Sequence, residues 1–68
     1  MPLGNLIDSC NQTIPQIAQA MGVNKEQVMA WVCGEVPDAE SAVRLSEVLG
    51  VPLEKLYLAV LHTQQLMA

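Results

Sequence analysis

The sequence predicts an all-α domain of five short helices occupying residues 1–68. Three observations lead there. Apolar residues recur at i, i+3, i+4 spacing in segment after segment, and no alternating β-branched run is long enough to suggest a sheet. Apolar residues make up 51% of the chain while its aromatics are only Trp31 and Tyr57, so the core must be built from Leu, Val, Ile, Ala and Met, which suits packed helices. Capping residues and glycines also fall at the ends of the periodic segments, where helices start and stop.

The first helix is expected at about 3–10, where Leu3, Leu6, Ile7 and Cys10 share one face, and Pro2 and Gly4 oppose helix further upstream. Asn11 and Gln12 link it to the second. Thr13 is a candidate N-cap, with Gln16 three residues on to complete a capping box. Pro15 falls in the first turn, where its missing N–H is harmless. Ile14, Ile17, Ala18 and Met21 form the apolar face, and Gly22 stands where a left-handed C-cap is expected. Asn24, with Gln27 three residues later, caps the third helix. Its apolar face is Val28, Trp31 and Val32, and Gly34 closes it. Over about 13–34 the order is therefore cap, helix, glycine turn, cap, helix, glycine stop, the grammar of a helix-turn-helix.

A loop at 34–38 follows, because Pro37 forces the residue before it into extended backbone. Asp38 caps a fourth helix at 39–49, with Ala42, Val43, Leu45, Val48 and Leu49 expected in the core, Glu40 favoured by the helix dipole, and Gly50 as the stop. Pro52 suits the first position of a fifth helix at about 52–66, with Leu53, Leu56, Tyr57, Val60 and Leu61 as its core stripe. Leu58, Leu66 and Met67 fall partly off that stripe. A terminal helix with surplus apolar surface suggests a partner, and the simplest partner is a second copy, so Leu58, Leu61 and Leu66 are a candidate dimer interface. A small domain with a thin core gains from such association.

Charge and cysteine content narrow the function classes. Seven acids against three bases, Lys25, Arg44 and Lys55, give a net charge of −4. Proteins that hold DNA normally gather lysine and arginine, because phosphate contacts supply most non-specific affinity. Cys10 and Cys33 are read as reduced thiols; with His62 they lack any metal-ligand spacing, so neither metal nor cofactor is expected. Cys10 and His62 fall in separate helices with no third orienting group, and an enzyme is not expected. The chain has no basic start followed by an apolar signal region and no apolar run of bilayer length, which predicts a cytoplasmic protein without membrane contact.

The stretches IAQAMGV at 17–23, NKEQVMAW at 24–31, Gly34 and LSEVLGVPLEKLY at 45–57 resemble the Cro/C1-type (XRE-like) helix-turn-helix family, the lambda repressor-like DNA-binding domains. They correspond to that family's LA-x-x-x-G-V helix, the W-x-x-G end of its recognition helix, and its A-x-x-L-G-V-x-x-x-x-L passage. The resemblance covers nearly the whole chain. It implies a compact five-helix fold and a small dimeric transcriptional regulator that binds DNA as a repressor or activator. It also implies base-facing positions at Lys25, Glu26, Gln27, Met29 and Ala30, with Val28, Trp31 and Val32 turned inward. Lys25 can reach guanine or a phosphate, Gln27 adenine and Glu26 cytosine, and Met29 and Ala30 can touch a thymine methyl. The charge, and Ile14 where the family carries a phosphate-binding Gln, point to an alternative: an acidic protein-interaction module, an antirepressor or modulator, on the same fold.

The family often pairs an Arg in its first helix with a Glu after the recognition-helix Trp, and here those positions are Ile7 and Val32. Joint replacement of a buried ion pair by apolar groups is tolerated, whereas replacing one member is damaging. Ile7 and Val32 are therefore expected to touch. Ile7→Arg should lower thermal stability by a clear margin, and an unchanged melting curve would remove that contact.

Overall fold

Burial converges on six side chains from all five helices: Leu3, Leu6, Ile17, Val28, Leu45 and Leu56, each less than 2% exposed. The computed structural model describes residues 2–67, the side chain of Met67 excepted, so the expectation for Met67 lies outside the described residues. Five helices make up the fold: α1 (Leu3–Ser9), α2 (Ile14–Met21), α3 (Lys25–Val32), α4 (Ala39–Leu49) and α5 (Leu53–Met67), with no strand among the described residues. The all-α, five-helix expectation therefore holds. α2 packs against α3 and α4, while α5 packs against α1 and α4. Each fully buried Leu or Val contributes about 1.5–3 kcal/mol, which is how helices this short are held in place.

The local signals act largely as the residues suggest. Thr13 and Gln16 form a reciprocal capping box: the Thr13 N–H donates to Gln16 Oε1 at 2.9 Å, and the Gln16 N–H donates to Thr13 Oγ1 at 3.3 Å. Gly22 takes the left-handed conformation at φ 72° that ends α2 and turns the chain into α3. Asp38 caps α4 by accepting the Ser41 N–H at 3.1 Å. Asn24 occupies the cap position of α3 with extended backbone, but its side chain makes no capping bond, and the first contact across that turn is the Gln27 N–H to the Asn24 carbonyl at 3.0 Å. Pro52 is not the first helical residue. It sits at the cap, where its carbonyl accepts the Leu56 N–H at 3.1 Å, as the Pro2 carbonyl accepts the Leu6 N–H at 3.0 Å before α1. α1 ends at Ser9, and Asn11 (φ 58°) makes the turn, a conformation asparagine tolerates.

The expected core faces of α4 and α5 are rotated. Val43 is 44% exposed; the buried line of α4 is Leu45 and Leu49, with Ser46 beside them. Ser46 is accommodated because its hydroxyl donates to the Val43 carbonyl at 2.7 Å. On α5, Leu53, Tyr57 and Leu61 are 46%, 58% and 39% exposed, and the buried face is Leu56, Ala59, Val60 and Thr63. The reason is a polar contact. The buried N–H of Leu3 donates to Thr63 Oγ1 at 2.8 Å, and Thr63 Oγ1 donates to the Ala59 carbonyl at 2.9 Å. The first N–H groups of a helix lack partners within it. Small Ala59 and hydroxylated Thr63 let α1 approach and be satisfied there. A second tether joins the Gln12 side chain to the Val48 carbonyl at the end of α4, at 2.9 Å.

Thr63→Val, similar in shape but without the acceptor, leaves the Leu3 N–H buried and unpaired. It should lower unfolding free energy by about 1–3 kcal/mol in urea titration, while Thr63→Ser should recover much of the loss.

Candidate nucleic-acid interface

The outward face of α3 is defined by what the other face buries. Val28 and Trp31 are 0% and 3% exposed, so the helix cannot rotate without pulling both from the core. Lys25 and Glu26 are exposed on the opposite side, and Met29 is 45% exposed beside them. Ala30 is half-buried. Gln27 is half-buried as well and lines a cleft with Val23, Trp31, Glu35, Val36, Asp38 and Ser41, so it faces the 34–38 loop side of α3. Of the base-facing positions implied by the resemblance, Lys25, Glu26 and Met29 thus lie fully outward and Gln27 and Ala30 partly so. Cys33, exposed at the C-cap, extends the outward face beyond Met29. Its position four residues after Met29 was the available signal.

The three basic residues do not gather around this face. Lys25 opens α3, Arg44 lies on α4 and Lys55 on α5. Arg44 is held by Glu40 one turn earlier, with 3.7 Å between Nη2 and Oε1, both side chains largely exposed. Acids occupy the chain just after α3: Glu35, Asp38 and Glu40 are all exposed.

Ile7 and Val32 border the same cleft, together with Gly4, Thr13 and Ile14. Ile7 is 2% exposed, and a Cβ added at Gly4 would stand only 3.3 Å from Val32 Cγ1, so α1 lies close against the end of α3. Ile7, buried, and Val32, half-buried, stand at the two positions where the resemblance places an ion pair. Ile14, half-buried and packed against the core, starts α2 without offering a polar side chain outward.

On α5, Leu58, Leu61 and Leu66 are 61%, 39% and 59% exposed. Leu61 and Leu66, five residues apart, point to opposite flanks of the helix, with Leu58 between them. Neither cysteine is in a disulfide. No group of three or more His, Cys, Asp or Glu side chains able to hold a metal occurs among the described residues, and no helix there is long and apolar enough to cross a membrane. The chain matches no family model, no curated protein and no solved structure.

One titration is tied to this face. Hydrogen bonds donated by Ser41, first from its hydroxyl and then from its backbone N–H, hold the Asp38 carboxyl below the usual range for aspartate. A carboxyl whose folded pKa is depressed stabilises the fold above its unfolded value, about 3.9, and loses that contribution as pH falls through the folded value. Asp38→Ala should therefore be less stable than the parent at neutral pH, and the gap between them should close below about pH 4 in denaturant titrations. A gap that persists unchanged into strong acid would assign the effect to something other than the ionised cap.

Proposed function

We propose that this chain is a small helix-turn-helix transcriptional regulator of the Cro/C1 type that binds DNA as a dimer. The observation that carries the reading is α3 itself. It follows α2 through a left-handed glycine turn, locks one face into the core through Val28 and Trp31, and offers Lys25, Glu26 and Met29 to solvent. A helix anchored in this way can enter a major groove as a rigid reader. Lys25 supplies the base or phosphate contact and Met29 the apolar contact to a thymine methyl. Leu58 and Leu61 supply the surface for a second copy, which doubles the contacts that a single subunit lacks.

A second reading is favoured by the charge. Net −4, with the bases divided among three helices and one of them paired, gives little counterion release on DNA. In this reading the domain keeps the architecture and binds a protein.

Fluorescence anisotropy of a labelled mixed-sequence duplex separates the two. A regulator binds at low salt with two chains per duplex and loses affinity as salt rises. Lys25→Ala should weaken binding at every sequence and reduce the log–log salt slope by about one for each lysine removed. Absence of binding at low salt would overturn the regulator and leave the protein partner.

A further inference from the structure

Four of the exposed apolar side chains of this domain are gathered at one place. Val36 in the loop, Val43 on α4, and Leu53 and Tyr57 on α5 are 50%, 44%, 46% and 58% exposed, and all four line one cavity of about 570 Å³ with Leu56 and Val60 at its base. That volume is within the range of built binding sites, about 300–1,000 Å³. The groove runs between α4 and α5 and is closed at one end by the 36–37 loop.

Its edges are acidic. Glu54 is part of the wall. On α4, Glu47 is exposed four residues after Val43, on the same side of the helix. The bases do not offset them. Arg44 is paired with Glu40 in the cleft beside Met21 and Val23, on another side of α4. Lys55 stands two residues before Tyr57, a spacing that places it on the far side of α5.

We propose that this groove is a docking site for a cationic amphipathic helix of a partner protein. Its leucine-type anchors at i, i+3, i+4 and i+7 would lie on Val43, Leu53 and Tyr57, and its lysines or arginines would meet Glu47 and Glu54. Helix-in-groove recognition needs this combination of an apolar floor and a rim of complementary charge. At this groove the acidic rim disfavours the other occupants: a second copy seated here would bring the same acids against these, and an anionic membrane or a nucleic-acid backbone would meet like charge. The site is separate from the outward face of α3, so it stands whether or not α3 reads DNA, and under the second reading of function it specifies the partner's chemistry.

The test is anisotropy of a labelled Leu/Lys model helix with that leucine spacing, titrated with the full chain near physiological salt and without DNA. The Leu/Lys helix should bind and its Leu/Glu counterpart should not. Leu53→Asp should weaken binding about tenfold or more. Glu54→Lys should weaken it about fivefold, and Asp8→Lys, an exposed acid on α1, should leave it within about twofold. Unchanged helix content and Trp31 emission confirm folding, and Val36→Asp in the loop replaces Leu53→Asp if that variant is perturbed. The proposal is overturned by absence of binding, by equal binding of the Leu/Glu helix, or by an effect of Asp8→Lys as large as that of Glu54→Lys. It is also overturned if the chain self-associates and Leu53→Asp dissolves the dimer, which would make the occupant a second copy.

Discussion

The buried N–H of Leu3 has to be satisfied, and Thr63 satisfies it. Much of the surface follows from that requirement. Because α1 begins against Thr63, α5 must turn Leu56, Ala59, Val60 and Thr63 inward. The other apolar stripe of α5, with Leu53, Tyr57 and Leu61, is left outside. On α4 the inward line through Leu45 and Leu49 likewise leaves Val43 outside. Val43 faces Leu53 and Tyr57 across one groove. A polar requirement at the first turn of the chain thus decides where the domain is most adhesive.

How much of this was legible in the sequence depends on the range of each interaction. The Thr13 box, the Gly22 turn and the Asp38 cap were readable because each is completed within three or four residues. The core faces of α4 and α5 were readable only in part. Val43 and Tyr57 fit a helical period as well as Ser46 and Thr63 fail it, and hydrophobic periodicity alone places them inside. The partner that reverses the choice on α5, Leu3, is 60 residues away. Serine and threonine enter the interior by returning a hydrogen bond to their own helix, which a hydropathy pattern scores as polar surface.

The candidate DNA face shows the same division. Exposure of Lys25, Glu26 and Met29 follows from the burial of Val28 and Trp31 one helical face away, and that was local information. The withdrawal of Gln27 was not, because the loop that shelters it returns from beyond Gly34. Electrostatics separates the two faces further. α3 presents one lysine and one glutamate at its outward start, whereas the charged residue in the wall of the α4–α5 groove is Glu54. Two surfaces of unlike chemistry on so small a domain permit two ligands to be held without competing for the same side chains.

The Leu3–Thr63 bond also has a consequence for the order of assembly. It closes a loop of nearly the whole chain, and the entropy of closing a loop rises with its length. The α2–α3 pair, joined by a short glycine turn, needs no such closure. Contacts of small sequence separation form fastest, so the central helices are the natural nucleus, and α1 meets α5 only after α4 has shortened the path between them. Leu3 is then among the last residues to reach its native partner.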